Sequence, residues 1–337
     1  MISIYPKNVE AGYAQKGDFF GILKELTGED VIPFSCGRAA LVYGMQALGF
    51  TRRDEILVPS YLGHCVLSAL ARTSFPTMTP SSATKGILVF HQFGYPQRLD
   101  EIQKIAARNK WFIINDCANT MFSSYDGKKV IAWGDFTMLS FAKLYACILG
   151  GGLIWHKSAA RDIMNENYEM LRASQVARAQ SAYEILQKAQ ENAFGLETEF
   201  EIDAVYGYLP RLVAFAPQAL AALPASPERI QEDADRRKRL LQIVYSYFPK
   251  SVPVHPDSDV VPFAVPISGK EAQLERLSRS IRDKFSVDVP VLHFDFACNM
   301  LDPQYRKALV VGCHHQWSQG LVIKICEYLK EYLDEKI

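Results

Sequence analysis

Two stretches of the chain decide its fold: WFIINDCANT at residues 111–120 and GDFTMLSFAKLYACILGGGLIW at residues 134–155. They contain three runs of strand length that are mostly apolar, Trp111–Asn115, Phe136–Phe141 and Gly152–Trp155. Runs that are apolar at most successive positions, rather than at alternate positions, indicate strands that are covered on both faces. The two stretches therefore predict a buried sheet.

The same rhythm extends toward the amino terminus. Ile56–Pro59 and Gly86–Phe90 are also predicted to be buried strands. The helical patterns between the predicted strands lie at Arg38–Leu48, Gly63–Arg72 and Gln97–Asn109. This alternation implies an α/β fold with a parallel sheet. Because ligands of such sheets bind beyond the carboxyl ends of the strands, residues that follow the strands are the candidates for chemistry.

The second half of the chain has a different pattern. A long polar helix is predicted over Ala159–Asn192, and a more apolar helical segment over Val205–Leu223. Ser226 is predicted to cap, and Pro227 to open, a helix that extends to Tyr247. The remaining predicted elements are strands at Val261–Ile267 and near Val287–Leu292, and helices at Lys270–Phe285 and Ser318–Leu333. This half predicts a small α+β domain.

Length and composition set limits on the class of protein. The 337 residues, 49% of them hydrophobic, suit a large α/β domain over residues 1–223 and a small domain over residues 224–337. Lys plus Arg and Asp plus Glu both number 37, so the basic excess that nucleic-acid phosphates select for is missing. The chain has neither a long uncharged apolar run nor the pattern of a signal peptide. Seven scattered cysteines are typical of a reducing compartment, so we expect a cytoplasmic protein without membrane or nucleic-acid partners.

One pair of residues carries the strongest chemical signal. Asp116 ends a predicted strand, and Lys143 lies 27 residues later between two apolar strands. Pyridoxal phosphate chemistry uses a lysine for the Schiff base and a carboxylate that keeps the pyridine nitrogen protonated. A turn aspartate and a solvated lysine would also produce this pattern.

A second feature is the segment FSCGRAAL at residues 34–41. Gly37 opens a predicted helix there, and free backbone N–H groups at a helix start can bind a phosphate. Small residues also cap helices that bind no ligand, so the value of this feature lies in its order along the chain.

Taken in order, these segments resemble the DegT/DnrJ/EryC1/StrS sugar aminotransferases, which are fold-type-I pyridoxal-phosphate enzymes. The matching segments are CGRAALVYGMQALGF with DEILVPSY, ILVFHQFGYPQRLDEIQKIAARNKWFIINDCANT, and GDFTMLSFAKLYACILGGGLIW. The resemblance covers about residues 30–156 clearly and residues 226–333 more weakly. It implies a large, mostly parallel sheet domain of the aspartate-aminotransferase type with a small C-terminal α+β domain.

The resemblance also implies which residues act on the cofactor ring. Lys143 would hold pyridoxal 5'-phosphate as an internal aldimine and later move the proton between substrate and cofactor. Asp116 would pair with the pyridine nitrogen. Asn119, where the family usually has Gln, would reach the ring hydroxyl.

The remaining implied contacts concern the phosphate and the face of the ring. Ser140 would contact the phosphate, and the backbone amides of Gly37 and Arg38 would complete that cradle. An aromatic ring would stack on the cofactor face, for which Tyr61 and His64 are both candidates.

The function implied by the resemblance is transfer of an amino group, by family expectation from glutamate, to a keto-sugar that is expected to be linked to a nucleotide. The product would serve surface polysaccharide or secondary-metabolite synthesis, and the active sites would lie at a homodimer interface. The chain departs from the family pattern in its short segment after Ser74 and in the missing Gly-Asn-x-Arg segment between residues 165 and 210. The latter helps a neighbouring subunit complete the site in much of the family.

Two other functions remain open. Some relatives are pyridoxal-phosphate sugar dehydratases that typically carry His in place of the lysine, and Lys143 disfavours that reaction. The shortened segments would also suit a noncatalytic binding or scaffold relative. Retention of Asp116 together with Lys143 disfavours the scaffold, because an unpartnered buried carboxylate is costly.

Other polar clusters are predicted to lie outside the chemistry. The pair His314–His315 with His293 and Asp295 lacks the spacing of metal ligands, so no metal is expected and a solvent- or cleft-facing loop is predicted. The family resemblance implies an alternative, in which His315 lies near the mouth of the active site. The run DADRRKR at residues 233–239 is predicted to be a solvated helix face. The glycines Gly150–Gly152 are predicted to allow a close backbone approach at the start of a strand.

Overall fold

The computed structural model describes residues 1–6, 18–156, 161–191 and 196–333, with the backbone alone at residues 161–165, 190–191 and 196–200. The strands are β1 (Val31–Phe34), β2 (Glu55–Leu57), β3 (Phe75–Thr77), β4 (Thr84–Phe90), β5 (Phe112–Cys117), β6 (Ser124–Tyr125), β7 (Lys128–Lys129), β8 (Phe136–Ser140), β9 (Gly151–Trp155), β10 (Ser258–Asp259), β11 (Ala264–Ser268), β12 (Val291–Asp295) and β13 (Tyr305–Gly312). The helices are α1 (Phe19–Thr27), α2 (Gly37–Ala47), α3 (His64–Leu70), α4 (Leu99–Asn109), α5 (Phe141–Leu144), α6 (Arg161–Glu191), α7 (Leu196–Tyr208), α8 (Pro227–Tyr247), α9 (Glu271–Phe285) and α10 (Gln319–Tyr332).

The large sheet has seven strands in the order β1-β9-β8-β5-β4-β2-β3. Neighbouring strands from β8 to β3 are parallel, whereas β9 runs antiparallel to both β8 and β1. The predicted α/β fold with a mostly parallel sheet is therefore confirmed, and the predicted strand Gly152–Trp155 is its antiparallel member. The sequence patterns missed β1 and β3, which form the two edges of the sheet.

Burial on both faces explains why the strand sequences are continuously apolar. Ile56, Leu88 and Ile114 face a core that is built with α2 and α3. Their neighbours Leu57 and Ile87 face the opposite core, which contains residues of α1 and α4. Because side chains alternate between the faces of a strand, a strand with a core on each side needs apolar residues at nearly every position.

The middle of the chain departs from its prediction. The helix α6 covers most of the predicted Ala159–Asn192, whose two end residues lie outside the described part of the chain. The predicted helix Val205–Leu223 is wrong, because α7 ends at Tyr208 and two short 3-10 helices follow, at Leu209–Arg211 and Pro217–Ala222. Pro210 and Pro217 open these short helices, since proline lacks the N–H that a continuous α-helix would require.

The C-terminal part is built on a three-stranded antiparallel sheet with the order β11-β13-β12, which we call the small sheet. The predicted cap of α8 is present: the Ser226 hydroxyl accepts from the Arg229 N–H at 3.4 Å. The central strand, β13, was not predicted from the sequence. Packing of α8, α9 and α10 against this sheet forms a core of its own. Among the described residues, no helix is long and apolar enough to cross a membrane.

Candidate active site

Asp116 is a buried carboxylate with one unsatisfied oxygen. It lies at the carboxyl end of β5, and the residue is 1% exposed. Oδ1 accepts a hydrogen bond from the Ala118 N–H at 2.9 Å, whereas Oδ2 is buried without a hydrogen-bond partner among the described residues. Burial raises the pKa of Asp116 to about 6, against the opposing charge of Lys143. A buried carboxylate oxygen without a partner is uncommon in folded proteins and makes Asp116 a candidate for binding a donor group.

Lys143 lies on α5, a single helical turn between β8 and β9. Strand β8 is parallel to β5, with Leu139 paired to Cys117, so both strands end at the same edge of the sheet. The half-buried Lys143 is thereby close enough for its charge to lower the pKa of Asp116. The structure brings together the two residues that the sequence singled out.

The start of α2 adjoins this pair. Its N-cap residue, Cys36, makes no side-chain capping hydrogen bond within the described part of the chain. A Cβ atom on Gly37 would lie 2.9 Å from the Leu139 carbonyl oxygen and 3.3 Å from Ser140 Cβ. Gly151 is equally constrained, because a Cβ there would lie 2.4 Å from the Gly37 nitrogen. This is the close backbone approach predicted for the glycine run, and it places an uncapped helix start beside Ser140.

Asn119 is buried in the turn that follows Asp116. Its Oδ1 accepts from the N–H of Phe93 at 3.3 Å, and Phe93 has a left-handed backbone conformation with φ 53°. Nearby, His91 Nδ1 accepts from the Gln97 N–H at 3.1 Å, so the neutral ring donates from Nε2 to Asn115 Oδ1 at 2.8 Å. Burial lowers the pKa of His91 to about 4, despite the opposing effect of the hydrogen bond to Asn115. His91 is therefore a neutral structural residue that joins Asn115 of β5 to the backbone of Gln97.

The two aromatic candidates for the cofactor face differ in their surroundings. The ring of Tyr61 stacks on His293 of the small sheet, with centroids 4.0 Å apart, and meets the edge of Tyr305 at 4.7 Å. His64 is the exposed first residue of α3. Arg38 is half-buried, and its guanidinium lies 5.7 Å from the ring centroid of Tyr206. The ring of Tyr61 is thus already engaged by the small sheet.

The predicted solvent- or cleft-facing loop at His314–His315 is wrong at His314 and confirmed at His315, which is exposed. His314 is buried, and its Nε2 lies 2.7 Å from the Ser3 carbonyl oxygen. Asp295 accepts backbone hydrogen bonds within its own loop. Within the described part of the chain, no group of three or more His, Cys, Asp or Glu residues could hold a metal ion.

The prediction that residues 233–239 form a solvated helix face is wrong at Arg237. This arginine is only 3% exposed and pairs with Asp233 at 2.7 Å. A signal was present in the sequence, because Ile230, Ala234, Arg237, Leu240 and Val244 fall at the spacing of a buried helix stripe. The stripe was not recognised because most residues next to Arg237 in the sequence are charged.

Comparison with known proteins agrees with this geometry. The model of the DegT/DnrJ/EryC1/StrS aminotransferase family matches residues 77–306, more than two thirds of the chain. A GDP-perosamine synthase of Escherichia coli O157:H7 is 26% identical over 201 residues, which are 47% of this chain and 55% of that protein. A dTDP-3-amino-3,4,6-trideoxy-alpha-D-glucose transaminase of Streptomyces venezuelae is 24% identical over 37% of this chain and 38% of its own length. The matched regions thus span about half or less of these curated relatives.

Solved structures resemble the chain over nearly its whole length. A DegT DnrJ EryC1 StrS aminotransferase from Brucella abortus has a TM-score of 0.65 at 15% identity, covering 94% of this chain and 89% of that one. A protein of Streptococcus pneumoniae described as a sugar aminotransferase, in its PLP form, has a TM-score of 0.68 at 13% identity, covering 97% and 92%. The predicted fold class is confirmed, and so is the resemblance to a family of pyridoxal-phosphate aminotransferases.

Proposed function

Because the chain belongs to the DegT/DnrJ/EryC1/StrS aminotransferase family, we propose that it is a pyridoxal-phosphate-dependent aminotransferase that aminates a keto-sugar. The observation that carries this proposal is the buried Asp116 carboxylate, whose Oδ2 has no hydrogen-bond partner in the described ranges and which lies within range of the Lys143 charge. A carboxylate left in this state needs a buried cationic or donor group to complete it. A protonated pyridine nitrogen is such a group.

The described residues fit pyridoxal phosphate at three places. Asp116 would accept from the ring nitrogen, and this cationic partner would bring the raised pKa of the carboxyl group down again. Gly37 and Arg38 would offer backbone N–H groups to the phosphate at the uncapped start of α2, beside Ser140. Asn119 has its amide oxygen occupied by the Phe93 N–H, so its Nδ2 is the end that would donate to the ring hydroxyl.

When bound, the cofactor supplies an electron sink for the carbon that loses or gains a proton. The Lys143 amine would attach the cofactor and, once released by the amino donor, would accept and return that proton as general base and acid. The turn that carries Lys143 is suited to this role because Phe141 N–H donates to the Gly150 carbonyl at 2.9 Å. A fixed backbone holds the Cα atom of Lys143 in place, so the reach of its side chain starts from one position.

The proposal has four further parts. The amino donor is glutamate, the acceptor is a keto-sugar linked to a nucleotide, and the enzyme is a homodimer in the cytoplasm. Two relatives are named for GDP- or dTDP-linked amino sugars, which supports a nucleotide-linked substrate. The core behind the small sheet supports a domain division near residues 223–224, and a second core joins Phe263 and Val310 to the large sheet across that division.

The test is covalent trapping of the cofactor. We expect borohydride reduction of the protein with pyridoxal phosphate to label Lys143, and Lys143→Ala to lose the label and at least about 10³-fold of transamination rate. Lys104→Ala removes an exposed lysine and serves as the matched control. Wild-type protein that takes up no cofactor would contradict the proposal and favour a scaffold, whereas loss of a sugar hydroxyl without amination would indicate a dehydratase.

A further inference from the structure

Arg237 is a buried cation that contacts the backbone beside Lys143. It lies on α8 with 3% of its surface exposed, and its Nε donates to Asp233 Oδ2 at 2.7 Å. Its Nη2 donates to the Leu144 carbonyl at 2.8 Å, across 93 residues of sequence. Leu144 directly follows Lys143 and is the last residue of α5. The guanidinium thus satisfies a carbonyl at the end of the turn that carries the lysine.

The opposite end of the same turn is also fixed. The N–H groups of Phe141 and Ala142 both point at the Gly150 carbonyl oxygen, at 2.9 and 3.4 Å. Within the turn, the Tyr145 N–H donates to the Phe141 carbonyl at 2.8 Å. A four-residue helix has too few internal hydrogen bonds to hold its own shape, so the orientation of Lys143 depends on these outside contacts.

Arg237 also connects the lysine turn to the small sheet. Its Nη1 donates to the Pro262 carbonyl at 3.3 Å, two residues before β11 begins. The next residue, Phe263, donates from its N–H to the Phe93 carbonyl at 2.8 Å, and Phe93 in turn donates to Asn119. One planar guanidinium therefore joins α8, the lysine turn and the segment that leads into the small sheet, which a lysine could not do with the same geometry.

We propose that Arg237 is a positioning residue that fixes the orientation of Lys143 by holding the Leu144 carbonyl, with Asp233 holding the guanidinium in place. This inference rests on the proposed function, in which Lys143 carries the cofactor. Arg237 itself touches neither cofactor nor substrate in this assignment. Its effect is transmitted through the backbone of a single turn.

The decisive comparison is Arg237→Gln against Arg236→Gln. Arg236 pairs with the same carboxylate, Asp233, and lies on the same turn of α8, whereas the guanidinium that holds the Leu144 carbonyl is that of Arg237. In full-length protein with pyridoxal phosphate, we expect Arg237→Gln to slow borohydride trapping at Lys143 by about 10- to 100-fold. We expect Arg236→Gln to stay within about twofold of wild type, and Arg237→Lys to give an intermediate rate.

A second readout needs no cofactor. Hydrogen–deuterium exchange of residues 141–150 in the cofactor-free protein should speed up in Arg237→Gln and remain unchanged in Arg236→Gln. If Arg237→Gln does not fold, Arg237→Lys is compared with Arg236→Gln by the same two measurements. The inference is overturned if folded Arg237 variants trap cofactor and exchange at wild-type rates, or if both arginine positions give equal effects. A wild-type protein that traps no cofactor would instead contradict the proposed function, and the exchange experiment would still decide the role of Arg237.

Discussion

Two aspartates, Asp116 and Asp295, lie at the carboxyl ends of strands and begin similar sequences, DCAN and DFACN. Both are almost fully buried, and both accept from the N–H two residues ahead, at 2.9 Å for Ala118 and 3.0 Å for Ala297. Beyond that shared turn they differ. Asp295 accepts two more backbone N–H groups, whereas Asp116 Oδ2 accepts none from the residues that the structure describes.

The difference is between a carboxylate whose acceptors are satisfied by its own loop and one that keeps an acceptor for the proposed cofactor. The loop after Asp295 folds back so that Asn299 and Gln304 donate to it, and its charge stabilises that loop. In the turn after Asp116, by contrast, Ala118 is the described residue that donates to the carboxylate, and Asn119 Oδ1 accepts from the Phe93 N–H. The same local motif therefore makes two different sets of contacts, and substitutions at Asp116 and Asp295 test what each set contributes.

The largest effect is expected from Asp116→Asn on catalysis. The amide keeps the shape and the acceptor for Ala118 but cannot hold a protonated ring nitrogen as a carboxylate does. We expect kcat for transamination to fall on the order of 10²–10³-fold. Steady-state kinetics with the amino donor measure it, and Asp295→Asn is the control. Equal losses of kcat in Asp116→Asn and Asp295→Asn would contradict the proposed difference between the two carboxylates.

The next effect concerns Asp295→Ala and the stability of the fold. This change leaves three buried or half-buried N–H groups without their carboxylate acceptor, so we expect the free energy of unfolding to drop by about 3 kcal/mol. Urea denaturation measures the loss, and Asp302→Ala, at an exposed position in the same loop, is the control. A loss below about 1 kcal/mol would show that the loop does not depend on the carboxylate.

A third effect is a gain in stability from Asp116→Asn in the cofactor-free protein. The folded-state pKa of Asp116, about 6, lies above its usual 3.8, so the folded protein retains a proton that the unfolded chain has lost. The wild type should therefore lose stability as pH rises between these values. We expect the Asp116→Asn variant to be about 2–3 kcal/mol more stable than wild type near pH 7.5, with the gain disappearing toward about pH 4. Thermal unfolding across pH measures it, and a pH-independent difference would contradict it.

The smallest effect is expected at Tyr61. Its ring already has partners in His293 and Tyr305, so Tyr61→Leu should cost about 1 kcal/mol of stability and leave the visible absorption band of bound cofactor unchanged. His64→Leu should shift that band, because the Tyr61 ring is already engaged and His64 is the other candidate for the cofactor face. A band shift in the Tyr61 variant alone would place Tyr61 on that face instead.

The parts of the fold that could be predicted are those with a strong local pattern. Strands β2, β4 and β5 lie inside the sheet and carry the continuous apolar runs that burial on two faces requires. The edge strands β1 and β3 contain Pro33 and Pro76 in their interiors, so their composition does not mark them as strands.

The parts of the candidate site that could be predicted follow the same rule. The sequence places Asp116 and Lys143 after strands, and the order of strands brings them to one edge of the sheet. Arg237 could not be assigned, because the group that it serves, Leu144, lies 93 residues away. The stacking of Tyr61 on the small sheet was hidden for the same reason.

The amino-acid sequence was enough to predict the α/β class and the family resemblance, and to single out Asp116, Lys143 and the helix start at Gly37 as candidates, because periodicity and motif order are local properties. Which buried charges are satisfied became visible in the folded chain alone. Hydrogen-bond satisfaction depends on groups that the chain brings together from distant positions, such as Leu144 for Arg237 or, for Asp116 Oδ2, no described group at all. That unsatisfied oxygen is the physical reason to expect a cofactor at this edge of the sheet.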